Sequence, residues 1–129
     1  MVAFMVVFQV EVTPIGKPRM TKRDKWTKRD CVDRYYSFKD SIRQEAKKQK
    51  FELSDSFTIK FYVPMPKSWS KKKREAMFFK PHTQKPDIDN MLKAVMDSLL
   101  VDDSSVHTVK MTKMWSIIGE IHIKNDEQV

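Results

Sequence analysis

The segment Ser56–Val63 alternates apolar and polar side chains along its whole length. One face takes the apolar residues and the other takes the polar ones: Phe57, Ile59 and Phe61 against Thr58, Lys60 and Tyr62. Residues two apart in a strand point to the same side, so the pattern predicts a β-strand with one buried face. Such a strand needs a second layer of structure to cover its apolar side.

Flanking segments supply that layer and further strands. We predict strands over residues 2–12, 106–117 and 120–123, with the last two forming a hairpin that turns at Gly119. Helices are predicted over residues 32–49, 70–79 and 90–100, the second capped by Ser68 or Ser70. The first of these carries a rough apolar stripe among charged residues, formed by Tyr35, Tyr36, Phe38, Ile42 and Ala46. We therefore expect one α+β domain over residues 1–129, a mixed β-sheet with helices packed on one face.

Composition limits the class of protein. The net charge is +8 and the hydrophobic fraction is 40%, which is typical of a globular protein with affinity for polyanions, although such a charge can also serve solubility alone. The single Cys31 excludes an internal disulfide and suggests a reducing compartment. No signal peptide or bilayer-spanning apolar run is present, so we expect a cytoplasmic protein with no membrane role.

An acidic cluster interrupts the basic chain. Residues 87–103 contain five aspartates and one lysine. Asp87 and Asp89 would point to the same side of an extended segment. In the helix that follows, side chains four apart share a face, so the polar stripe would be formed by Asp89, Lys93 and Asp97. The pair Asp102-Asp103 follows the helix end.

Convergent carboxylates suit a hard divalent cation such as Mg²⁺, which takes oxygen ligands and usually keeps waters and a substrate phosphate. Such an ion can activate water for phosphodiester hydrolysis, and Lys93 can neutralise developing charge. The alternative interpretation is structural: Asp89 as a helix cap, Asp89–Lys93 and Lys93–Asp97 as helical ion pairs, and Asp102-Asp103 as a turn. The sequence carries no EF-hand loop, no P-loop and no zinc spacing of Cys and His.

The run from Pro86 to Asp103, P-D-x-D-N-x-x-K-x-x-x-D-x-L followed by D-D, resembles the RusA family of Holliday junction resolvases, small endonucleases commonly carried by prophages. A weaker likeness extends over the rest of the chain, including the Gly16-Lys17-Pro18-Arg19 loop. The resemblance implies a RusA-like fold. It also implies a homodimer that cuts four-way DNA junctions by paired symmetric nicks, with Mg²⁺ or Mn²⁺, in DNA recombination and repair.

The resemblance also assigns roles to individual residues. Asp87 and Asp89 match the paired metal ligands of the family, and Lys93 matches its catalytic lysine. Asp103 matches the third essential carboxylate, with Asp102 as the alternative ligand. Two further positions are supporting ones, Asn90 for the loop or for the Asp89 side chain and Asp97 as an additional acid.

Two basic segments are candidate DNA contacts. The first is an arm over residues 17–30, in which a tryptophan stands among cations that can contact a phosphate backbone while the ring stacks on a base: Lys17, Arg19, Lys22, Arg23 and Trp26. The second is Lys71-Lys72-Lys73 at the start of the short helix, which can equally be an exposed helix start.

Three functions remain open at this stage. The first is a junction-selective endonuclease, and the second is a nuclease for other branched DNA with the same ligands. The third is a DNA-binding module without catalysis, whose acidic patch contacts a protein partner. Only the last predicts DNA binding that survives chelation together with no strand scission.

Overall fold

The computed structural model describes residues 7–19 and 30–126. In chain order the elements are four strands and three helices: β1 (Val7–Val10), α1 (Asp30–Gln49), β2 (Ser56–Pro64), α2 (Lys71–Met77), α3 (Ile88–Leu99), β3 (Thr108–Ser116) and β4 (Glu120–Asn125). The predicted α+β class with a mixed sheet is confirmed. No helix in the described ranges is both long and apolar enough to cross a lipid bilayer.

The strands form one sheet in the order β1-β4-β2-β3. β2 pairs in parallel with β3 and antiparallel with β4, whose other edge pairs antiparallel with β1. The predicted hairpin is therefore wrong, because β2 lies between β3 and β4. The connection instead crosses over the end of β2, where the Ser116 carbonyl accepts a hydrogen bond of 2.9 Å from the Met65 amide. Gly119 allows this crossing, since a Cβ there would lie 2.6 Å from the Cα of Thr13.

In the described part of the chain, helices cover one face of the sheet and the other face is open. The inward residues of the strands are buried together with one side of α1 and one side of α3, and the members contributed by β1, β2 and β4 are Phe8, Val10, Phe57, Ile59, Phe61, Val63, Ile121 and Ile123. The strand alternation predicted for Ser56–Val63 is thus confirmed, and the helices pack on one face.

Helix boundaries follow from their caps. The side chain of Ser70 accepts a hydrogen bond of 3.2 Å from the Lys73 amide, so Ser70 is the cap of α2. α1 begins at Asp30, two residues before the predicted start. It ends with Lys50 at a φ of 55°, and the Phe51 amide reaches back to the Ala46 carbonyl at 2.8 Å. This is the closure in which a residue in the left-handed region, usually glycine, terminates a helix.

Candidate active site

The acidic motif begins at the N-terminus of α3. Asp87 is the N-cap residue, with extended backbone at φ −65° and ψ 146°, and its side chain makes no capping hydrogen bond. Asp89 lies in the first helical turn, so the helix starts two residues earlier than predicted and only Asp87 keeps the extended backbone expected for both aspartates. Within the described part of the chain both carboxylates are exposed and have no partner. They stand where the positive end of the helix dipole favours negative charge.

The Gly16 loop docks against this helix start. The Asn90 side-chain amide donates to the Lys17 carbonyl at 3.1 Å, and the Lys17 amide donates to the Asn90 carbonyl at 3.4 Å. Of the two contacts considered for Asn90, the structure shows the one to the loop. Glycine is required beside it, because a Cβ on Gly16 would lie 2.5 Å from Asn90 Nδ2 and 3.1 Å from Pro86 Cβ.

A lysine from the sheet holds the segment before the motif. Lys113 Nζ donates to the carbonyls of Gln84 at 2.6 Å and of Pro86 at 2.8 Å. The His82 amide donates to the Lys113 carbonyl at 3.1 Å, and the His82 ring packs against Trp115 with centroids 4.3 Å apart. Burial, reinforced by the charge of Lys113, lowers the pKa of His82. The imidazole is therefore held neutral and serves the packing of this segment.

Asp97 belongs to a polar network that ties three segments together. The Tyr35 hydroxyl of α1 donates to its carboxylate, Lys17 of the loop lies 3.5 Å away and Lys39 of α1 lies 3.6 Å away. The Tyr35 hydrogen bond, followed by the two ammonium charges, lowers the pKa of Asp97 although partial burial opposes this. Burial and the bond to Asp97 raise the pKa of Tyr35. The carboxylate is thus neutralised by local partners and fixes α3 in place.

Lys93 points into solvent from the same helix. It makes no ion pair with Asp89 or Asp97 among the described residues, since Asp97 pairs with Lys17 and Lys39 instead. The interpretation of the stripe as a row of helical ion pairs therefore finds no support. An exposed ammonium group one turn beyond Asp89 remains available to an incoming anion.

Asp102 and Asp103 lie at the other end of α3. The helix has 12 residues and a length of about 18 Å. The Ser104 amide donates to Asp102 Oδ1 at 2.9 Å, which lowers the Asp102 pKa, and the Asp103 carbonyl accepts from the Val106 amide at 3.1 Å. The pair therefore forms a turn, as one interpretation of the sequence predicts, and of these two carboxylates Asp103 is the one without a partner among the described residues.

The separation of Asp103 from the start of α3 limits which carboxylates of one chain can hold a metal ion together. Across the described residues, no group of three or more His, Cys, Asp or Glu side chains stands close enough to hold one ion. Asp87 and Asp89 stand two residues apart at the start of α3, and Asp103 does not join them in such a group within the described part of one chain. Two carboxylates at a solvent-open position still match the donor set of Mg²⁺, which commonly takes one or two from the protein and fills its shell with water and phosphate.

A shallow cleft adjoins the helix start. Its volume is about 490 Å³, and two lysines and one candidate ligand lie on its rim among its lining residues: Gly16, Lys17, Pro18, Lys85, Pro86, Asp87 and Asn90. The two lysines attract an anionic ligand such as a phosphate, and a cation bound at Asp87 can be shared between that phosphate and the protein.

The basic segments divide between two places. Lys17 lines the cleft beside Asp87, and Arg19 is exposed two residues further on. Lys22, Arg23 and Trp26 lie outside the described residues. The exposed lysines of α2, Lys71, Lys72 and Lys73, belong to a helix that borders a different cleft, with Met65 and Phe78.

The roles of two positioning residues were not predicted from the sequence. Tyr35 was predicted only as part of the apolar stripe of α1, yet it is 1% exposed and carries a hydroxyl that must find a partner. Lys113 occupies an inward position of β3, in step with the buried Trp115. The feature of the sequence that could have revealed the role of Lys113 is a lysine at a core-facing position of a predicted strand.

Comparison with known proteins adds the family. The family model described as "Endodeoxyribonuclease RusA" matches residues 9–125. The chain is also similar to "Uncharacterized protein YqaN" of Bacillus subtilis (strain 168), at 43% identity over 47% of this chain and 49% of that protein, so it spans about half the length of this curated relative. The family match covers every described strand and helix apart from the first two residues of β1. The chain belongs to the RusA endodeoxyribonuclease family.

Proposed function

We propose that this protein is a metal-dependent endodeoxyribonuclease that resolves four-way DNA junctions by paired symmetric nicks, in DNA recombination and repair. The observation that carries the proposal is the pair of exposed, unpartnered carboxylates at the start of α3, in a chain whose family match spans residues 9–125. Asp87 and Asp89 would hold Mg²⁺, or Mn²⁺ as a substitute. The ion supplies an activated water and charge neutralisation at the scissile phosphate.

The chain's own residues then have distinct tasks. Lys93, exposed one turn beyond Asp89, stabilises negative charge that develops on the phosphate. Lys17 and Lys85 on the rim of the cleft attract the DNA backbone toward the carboxylates. Asn90 and Lys113 act through other groups, since they fix the loop and the segment that flank Asp87. Arg19, Lys22, Arg23, Trp26 and the lysines of α2 are proposed as further DNA contacts.

The third carboxylate gives a structural reason for a homodimer. Asp103 lies beyond the far end of α3, about 18 Å of helix away from Asp87. In a two-fold dimer with the α3 helices side by side and antiparallel, the N-terminal end of one helix lies beside the C-terminal end of the other. We propose that Asp103 reaches the site of the partner subunit in this way, and that two such sites match the two-fold symmetry of the junction.

The activity is tested with a synthetic mobile four-way junction in Mg²⁺ or Mn²⁺, with linear duplex and EDTA as controls. We expect paired nicks on opposite strands of the junction, none with EDTA and none on the duplex. Junction binding without any nick in either metal would identify a DNA-binding module. Nicks on flaps or forks in preference to four-way junctions would identify a nuclease for other branched DNA.

The shared site is tested by mixing two inactive variants, Asp89→Asn and Asp103→Asn, and refolding them together. If each site takes one residue from each subunit, the mixed dimer contains one doubly altered site and one intact site, so single nicks return. If both residues act within one chain, each site of the mixed dimer stays defective and no nick returns. The latter result would overturn the shared site and leave the activity itself intact.

A further inference from the structure

Within residues 7–19 and 30–126 no helix lies over the open face of the sheet, and this face carries a concentration of lysines. Lys60 of β2, Lys110 of β3 and Lys124 of β4 lie on this face, opposite the buried residues of the same strands. Thr58 is paired with both Lys110 and Lys124, so these two lysines flank it on neighbouring strands, and Lys60 stands two residues further along. Neighbouring strands are about 4.8 Å apart, so the three ammonium groups occupy a small area.

These positive charges are not compensated locally. Among the described residues none of the three lysines has an ion-pair or hydrogen-bond partner. The acidic residues Glu120 and Asp126, each within four residues of Lys124 in the chain, already accept hydrogen bonds, Glu120 at 2.8 Å from His122 and Asp126 from the Ser56 hydroxyl. Like charges held side by side repel one another, and a bound polyanion would relieve that repulsion.

The shape and chemistry of the face suit a nucleic-acid backbone. The lysines border a shallow groove of about 500 Å³, which also contains the Thr58 hydroxyl and the ring of Tyr62. Tyr62 packs against His122 with ring centroids 4.6 Å apart and against Phe79 at 6.1 Å. The segment that begins at Phe79 runs along the edge of β3 and continues to Asp87. Because Phe79 contacts Tyr62, this segment connects the groove with the candidate site.

We propose that the open sheet face is a second DNA-binding surface, on which the phosphate backbone of one arm of a branched DNA lies while the acidic site engages the branch. This inference rests on the proposed function and adds a location to it. A second copy of the chain is a poorer occupant, because pairing two such faces would bring the lysines of one copy against those of the other.

The test is the salt dependence of junction binding, measured by fluorescence anisotropy in EDTA so that no cleavage occurs. The variant is Lys60→Ala with Lys110→Ala. Its matched control is Lys47→Ala with Lys48→Ala, which removes the same charge from exposed positions at the end of α1. Each lost phosphate contact lowers the slope of log affinity against log salt by about 0.9, so we expect a drop of nearly 2 for the variant and under 0.5 for the control.

Three results would overturn the proposal. One is an equal change of slope in the two variants, which would mean that only net charge matters. Another is a change in sedimentation from dimer to monomer in the Lys60 and Lys110 variant alone, which would make the face a contact between copies. The third is unchanged junction binding with loss of binding to an acidic peptide. Because binding is measured without metal, failure of the nuclease activity would be seen separately in the cleavage assay.

Discussion

Replacing Tyr35 by phenylalanine removes one hydroxyl from the network that fixes α3. That hydroxyl donates to Asp97, and the ring itself is 1% exposed and remains packed in the variant. A hydrogen bond to a charged group contributes about 1.5–3 kcal/mol. We expect a loss of about 2 kcal/mol in the free energy of unfolding, which corresponds to a fall in Tm of about 7 °C in a chain of this length.

The matched control is Tyr36→Phe. Tyr36 is the next residue of the same helix, is 53% exposed, and has no hydrogen-bond partner for its hydroxyl among the described residues. Its loss should change the free energy of unfolding by less than about 0.5 kcal/mol. Urea unfolding at neutral pH measures both variants. Equal losses for the two would refute the claim that the Tyr35–Asp97 contact stabilises the fold.

The same contact predicts a dependence on pH. The pKa of Asp97 is lowered in the folded state, with the Tyr35 hydrogen bond as the largest cause. Its contribution is therefore present above the unfolded value of about 3.9 and is lost as the pH falls through the folded value. The pKa of Tyr35 is raised above its ordinary 10.0, so its contribution is kept up to that pH and lost only as the pH rises further. The difference between the wild type and Tyr35→Phe should shrink below about pH 4, and a constant difference down to pH 2 would contradict this.

Substitutions at three further places in the chain have defined outcomes: the Gly16–Asn90 contact, the end of α1 and the Asp102-Asp103 pair. Gly16→Ala places a Cβ 2.5 Å from Asn90 Nδ2, so we expect a loss of about 1–3 kcal/mol and slower junction cleavage. Combining it with Asn90→Ala in a thermal-unfolding cycle should give a total loss smaller than the sum, and strict additivity would contradict the contact. Lys50→Gly should raise the free energy of unfolding by about 1 kcal/mol, because Lys50 has a φ of 55° at the end of α1; a decrease would refute it. Asp103→Asn should reduce single-turnover cleavage at least about 100-fold, whereas Asp102→Asn keeps the oxygen that accepts its turn bond and should change cleavage less than about 2-fold.

The fold was predictable where the pattern is local. The alternation in Ser56–Val63 and the apolar stripe of α1 each depend on neighbouring residues of one segment, and both are confirmed. The partner of a strand is a different matter, because β2 inserts between β3 and β4 although they are adjacent in the chain. Two strands joined by a short turn near a glycine favour a hairpin in sequence, and nothing local indicates that β2 fills the place between them.

The candidate site was predictable in its residue types and less so in its geometry. The spacing of Asp87, Asp89 and Lys93 indicates one end of one helix, and the structure places all three there. Asp97 continues the same spacing, but its carboxylate accepts a hydrogen bond from Tyr35, which lies 62 residues earlier in the chain. This contact could not be inferred from the motif. Likewise, the resemblance implies that Asp103 belongs to the site, whereas α3 lies between Asp103 and Asp87 within one chain.

We propose that the carboxylates at the start of α3 carry out the cleavage of branched DNA. The most direct test compares single-turnover cleavage of a four-way junction by the wild type and by Asp89→Asn in Mg²⁺, at protein concentrations where both bind the junction fully. We predict paired nicks for the wild type and at least a 100-fold slower reaction for the variant, about the loss expected when one essential metal ligand is removed. Cleavage by Asp89→Asn at the rate of the wild type would contradict the claim.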